Sequence, residues 1–138
     1  MINVIHIHGL DIRFVKYLTS SVPGKREYSI PIWKGFTAAF HCMPIAAEIG
    51  NEIFCVHGGI GPSLTCVADI ESIPRPTDVP ESGLLYDLVW SETNKELVGW
   101  GGGRGALEFG EDIVHEYVAK LNVKLICRSN QVLLKLSF

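Results

Sequence analysis

Two of the five histidines stand at the end of an apolar run and are followed at once by glycine. His57 closes Ile53-Phe54-Cys55-Val56 and precedes Gly58-Gly59, while His8 closes Ile2 to Ile7 and precedes Gly9. A neutral imidazole is a metal ligand and a proton carrier near neutral pH. Open α/β sheets build their sites where strands end, and glycine lets a ligand or another chain come close there. His6 lies two positions before His8. Side chains two apart in a strand share a face, so His6 and His8 make half of a possible metal site. Each pattern also has a plainer reading. His57 fits a core histidine ahead of an ordinary Gly-Gly turn, and the His6/His8 pair fits an exposed polar face near a terminus.

Two further positions carry usable chemistry. Arg104 sits in the glycine-rich loop Gly99 to Gly105, where its guanidinium can present a planar fork to phosphate oxygens. A solvated loop arginine is the ordinary alternative. Asn130 follows Arg128-Ser129 after the apolar Val123 to Cys127. Polar residues at three strand ends can therefore converge: His6 with His8, His57, and Asn130.

The elements that must position them follow from periodicity. Ile2–Ile7 reads as a strand and Asp11 to Leu18 as a helix that Pro23-Gly24 ends. Pro31 fits the first turn of a helix carrying Ile32, Trp33, Phe36 and Phe40, which runs to Met43-Pro44. Ile45-Ala46-Ala47 and the run Ile53 to Val56 flank Gly50-Asn51, the signature of an antiparallel pair. The run before His57 is apolar throughout, as in a strand covered on both faces. A short helix is expected at Cys66 to Ile70, and Pro74, Pro76 and Pro80 exclude the next stretch from a sheet interior. Leu84, Leu85, Leu88, Val89 and Trp90 form an apolar face, Gly99 to Gly105 a flexible loop. Glu111-Asp112 complement a helix dipole ahead of the stripe Ile113, Val114, Tyr117, Val118 and Leu121, which leaves His115 exposed. Val123 to Cys127 is a last strand. Helices and strands alternate, so the class is α/β.

A chain of 138 residues with 47% hydrophobic residues is one domain with a sizeable core. Its net charge of −3 gives no reason to expect a nucleic-acid or membrane partner. Cys42, Cys55, Cys66 and Cys127 form no C-x-x-C pair. Cys42, Cys55 and Cys127 lie among apolar residues, which reads as buried free thiols in a reducing compartment. With no secretory leader and no run of membrane-spanning length, a cytoplasmic or nuclear location is expected.

From about Lys25 to Val132 the sequence resembles the phosphoprotein phosphatases, the metal-dependent serine/threonine protein phosphatases, and is similar to their type-1 branch. The resemblance rests on Ile32-Trp33-Lys34-Gly35-Phe36-Thr37, Phe54-Cys55-Val56-His57-Gly58-Gly59, Arg75-Pro76-Thr77-Asp78-Val79-Pro80 and Gly83 to Ser91. It continues through Gly99-Trp100-Gly101, Arg104-Gly105, Phe109-Gly110 and Leu125-Ile126-Cys127-Arg128. It implies a partial metallophosphatase-like fold, mixed β-sheets flanked by helices, over a single partial catalytic domain at 1–138. It also implies phosphoprotein substrates or regulatory proteins as partners. Ile53 and Leu125 match part of the groove that docks regulatory subunits in type-1 enzymes.

By the same resemblance His57 takes a metal-ligand position and Arg104 the substrate phosphate, in a loop one residue shorter than the family's. Asn130 stands where the family places a ligand histidine. His8 matches the histidine of the family's opening Gly-Asp-x-His-Gly, and His6 replaces its aspartate. After Pro23-Gly24 the blocks Gly-Asp-x-Val-Asp-Arg-Gly and Gly-Asn-His-Glu have no counterpart. With them go the bridging aspartate, a second arginine clamp, the asparagine ligand and the histidine acid. The family's last strands and their active-site tyrosine are likewise expected to be missing beyond Gln131. The expectation is at most one weakly held divalent metal (Mn, Fe or Zn), bound by His8 and His57 with His6 or Asn130. Two functions follow: a weak serine/threonine phosphatase, or an inactive phosphatase-like module that binds protein or phosphate.

Overall fold

The computed structural model describes residues 30–102 and 106–129. The expected first strand and helix, with His6 and His8, lie outside the described residues, as do Arg104 and Asn130.

Helix α1 spans Ile30–His41, as its apolar spacing requires. Phe36 and Phe40 stack along it with centroids 6.1 Å apart, and Phe36 remains 56% exposed. Strand β1 (Ala46–Ile49) then turns into β2 (Ile53–Val56), antiparallel, with Ala47 opposite Cys55 and Ile49 opposite Ile53. Gly50 and Asn51 take φ of 61° and 55°, the positive values that a primed hairpin turn demands. Helix α2 is the short Val67–Glu71, and residues 74–83 carry no regular element. Helix α3 (Leu84–Trp90) buries Leu85 and Leu88.

Three brief strands follow, β3 (Glu92–Thr93), β4 (Trp100–Gly102) and β5 (Leu107–Phe109). The central β5 pairs parallel with β3 and antiparallel with β4. The flexible loop expected from Gly99 therefore begins with strand: Trp100–Gly102 pairs with β5, and Trp100 packs on Phe109 and Tyr117 with centroids 6.2 and 5.8 Å away. Helix α4 (Glu111–Lys120) buries Ile113 and Tyr117 and leaves His115 exposed, as the stripe predicts. Asp112 does more than face a dipole: its carboxylate accepts the Gly99 N–H at 3.0 and 2.8 Å, fixing the start of the β4 segment. Strand β6 (Leu125–Arg128) completes the first sheet, parallel to β2, with Cys55 opposite Cys127 and Val56 opposite Arg128.

The described chain is thus α/β, two mixed three-stranded sheets (β1-β2-β6 and β3-β5-β4) with flanking helices. Phe54 and Val56 from one sheet, Phe109 from the other, Leu88 of α3, and Ile113 and Tyr117 of α4 form the core with Ile60, Leu64, Leu121 and Val123. Tyr117 carries its hydroxyl into that core and donates to the Gly61 carbonyl at 2.9 Å, so burial leaves no orphaned group there.

Two sequence expectations fail. Strand β2 is not covered on both sides: Phe54 and Val56 are buried, but Ile53 and Cys55 alternate onto a half-exposed face. The cysteines are free but not buried, since Cys42 and Cys127 are exposed and Cys55 is half-buried. Successive side chains in a strand leave on opposite sides, so apolar neighbours in sequence do not cover a cysteine between them.

Candidate functional site

His57 is the first residue beyond β2, and the parallel neighbour β6 ends beside it. The His57 carbonyl accepts the Ser129 N–H at 3.0 Å, so the β6 end is bonded directly to the histidine's own peptide. The imidazole is half-buried, with Nδ1 shielded from solvent.

The next peptide is held from both sides. Gly58 N–H donates to Leu88 O at 2.8 Å, giving a carbonyl in the last turn of α3 the partner that a helix end lacks. On the other side, Arg128 Nε donates to Gly58 O. The same guanidinium reaches Ser91 O at 3.2 Å and Thr93 Oγ1 at 3.4 Å, so one side chain ties the histidine turn to the chain leaving α3 and to β3. Burial pushes the Arg128 pKa down, while nearby Glu92 opposes that shift.

Both glycines after His57 are required by space. A Cβ on Gly58 would lie 2.5 Å from Val89 O and 2.6 Å from Trp90 N. One on Gly59 would meet Phe109 Cε1 at 2.6 Å and Ser91 Oγ at 2.7 Å. The Gly-Gly pair thus lets the turn lie directly on the helix α3 backbone and on the Phe109 ring, which positions the imidazole at the rim of the fold.

Of the five residues singled out for metal or phosphate, only His57 falls among the described residues; His6, His8, Arg104 and Asn130 do not. Among the described residues no three His, Cys, Asp or Glu side chains come together as a metal site. Sequence reasoning missed Arg128. Its only signal was a basic residue at the end of an apolar strand, at a position that alternation assigns to the same face as Ile126.

Residues 17–130 match the calcineurin-like phosphoesterase family. The chain belongs to that family. It is also similar to a solved serine/threonine phosphatase from Saccharomyces cerevisiae that itself has similarity to human phosphatase PP5. The identity is 30% and the TM-score 0.67, over 77% of this chain and 34% of that one. This chain therefore spans about a third of that structure's length. Among the described residues no helix is long and apolar enough to cross a membrane.

Proposed function

We propose that this chain is a phosphatase-derived module, one partial catalytic domain over 1–138, in which efficient two-metal hydrolysis of phosphoserine and phosphothreonine has been lost. Its remaining capacity is to bind a protein or a phosphate group, with Arg104 as the anion contact. The carrying observation is the donor set. The His57 turn is fully built, yet the carboxylate-bearing blocks that would follow Pro23-Gly24 are absent from the chain's interior. His8 and His57, with His6 or Asn130, supply only neutral donors. Neutral nitrogen and amide oxygen suit one divalent cation such as manganese, iron or zinc, held weakly. A reducing cytoplasmic or nuclear setting accords with the free thiols.

The second reading is a weak serine/threonine phosphatase, favoured by the likeness to the yeast enzyme. Phosphopeptide hydrolysis with added manganese separates the two. Turnover equal to that of His57→Ala is expected; turnover clearly above it restores the enzyme reading. Calorimetric titration with manganese should find no more than one weak site, and two tight sites per chain would refute the proposed donor set.

A further inference from the structure

The outer face of the first sheet carries a pair of thiols that the phosphatase reading does not use. Cys55 in β2 and Cys127 in β6 are direct partners in the parallel register. Directly paired strands lie about 4.8 Å apart. Disulfides span Cα separations of about 4.4–6.8 Å, so a pair in this register lies within reach of one. The side chains leave on the same face, and burial together with the neighbouring Cys127 pushes the Cys55 thiol pKa up. Cys127 is exposed and Cys55 half-buried beside it, so an oxidant in solvent can reach the first and the second is in place to respond.

We propose that Cys55 and Cys127 form a reversible oxidation site for hydroperoxides, closing an intramolecular disulfide that staples β2 to β6. The Cys127 sulfur attacks the peroxide oxygen, an S–O bond forms and the O–O bond breaks. The departing oxygen takes the thiol proton and leaves as water from hydrogen peroxide, or as an alcohol from an organic hydroperoxide. The Cys55 sulfur then attacks the sulfenic sulfur, the S–S bond forms and the S–O bond breaks, releasing water. Two thiols lose two electrons and one hydroperoxide gains them, so no further reactant is needed. The bridge joins the two strands whose ends carry His57 and Ser129, and it ties the histidine turn to its neighbour covalently. This site is independent of whether the chain hydrolyses phosphate.

The test uses the full reduced chain, exposed to a small excess of hydrogen peroxide and then alkylated in denaturant. Of the four cysteines, two should escape alkylation, the protein should stay monomeric on a non-reducing gel, and peptide mapping should join Cys55 to Cys127. Dithiothreitol should restore all four thiols. Cys127→Ser should abolish the bridge, whereas Cys42→Ser and Cys66→Ser should leave it intact. Should Cys127→Ser fail to fold, the peptide map of the unaltered chain decides. Oxidation of Cys127 to sulfinic acid with Cys55 still alkylatable would overturn the proposal. So would a disulfide-linked dimer, or a bridge that uses Cys42 or Cys66.

Discussion

Gly58 is the position where the close fit around His57 can be put to a number. In Gly58→Ala the new methyl would sit 2.5–2.6 Å from Val89 O and Trp90 N, about 0.8 Å inside ordinary contact. Both obstacles are backbone at the end of α3, so no rotamer change relieves them. The turn cannot retreat freely either, because Arg128 holds Gly58 O and Ser129 N–H holds His57 O. If the helix yields instead, the 2.8 Å bond from Gly58 N–H to Leu88 O stretches past hydrogen-bonding range. Overpacking of this kind costs about 1–3 kcal/mol, and a lost backbone hydrogen bond adds about 1 kcal/mol. Backbone against backbone belongs at the upper end, so the expected loss is about 3–4 kcal/mol.

Urea unfolding followed by tryptophan fluorescence measures this loss directly, because Trp90 and Trp100 flank the region. At roughly 3–5 °C per kcal/mol for a domain of this size, the thermal midpoint should fall by about 9–20 °C. Gly35→Ala is the matched control, since its Cβ would meet nothing within 4 Å. It sits inside α1, where alanine exceeds glycine in helix propensity, and should raise stability by about 0.5–1 kcal/mol. A Gly58→Ala protein within 1 kcal/mol of the original would refute the claim that this turn has no room for a side chain.

Arg128→Met should cost about 2–4 kcal/mol, because it strands the Gly58 and Ser91 carbonyls in a half-buried site. Arg128→Lys should recover only part of that, since one ammonium cannot reproduce the fork; equal stability of the two variants would count against the clamp. Burial raises the Asp87 pKa above its ordinary value, so the folded chain binds that proton more tightly than the unfolded one. Its stabilising effect is complete below about pH 3.9 and is lost as pH rises through the folded value. Asp87→Asn should therefore stabilise at neutral pH, with a gain that shrinks on acidification to about pH 4 in paired denaturation curves. Asp69 behaves oppositely: the Thr65 hydroxyl and the Cys66 and Thr65 amides hold its pKa down to about 2. Helix α2 should keep this contribution above pH 3.8 and lose it as pH falls towards 2, seen as local exchange of the Cys66 amide in acid.

The parts of the fold with a period or a turn code were legible in the sequence. Gly50-Asn51 announced the β1-β2 hairpin because few other pairs accept two positive φ values in succession. The Ile113, Tyr117 and Leu121 spacing announced α4, and the apolar run ahead of His57 placed the histidine at a strand end. The second sheet was not legible. Its strands are two or three residues long, too short for alternation to show, and they cohere through β5 and the Phe109 ring. The exposure of Cys127 was misread because neighbours in sequence were taken for neighbours in space. Arg128 was silent for a related reason: its acceptors at Gly58, Ser91 and Thr93 are distant in the chain, and only the folded sheet brings them together.

The supports of the His57 turn consist of backbone groups, one guanidinium and the absence of two side chains; none of them is a metal ligand. The turn can therefore keep its shape whatever becomes of the donors around it. A cation pair has no such independence. Two divalent ions about 4 Å apart, the spacing of two-metal sites, repel by about 17 kcal/mol at an effective dielectric of about 20. Imidazoles and an amide bring no negative charge against that repulsion, whereas a shared carboxylate attracts both ions at once. Removing the carboxylate should thus expel the second ion long before it disturbs the sheet. On the proposed reading this is how a phosphoesterase scaffold persists after its chemistry has gone: the supports of the His57 turn and the anionic metal ligands are different residues, and the anionic ligands have been cut away.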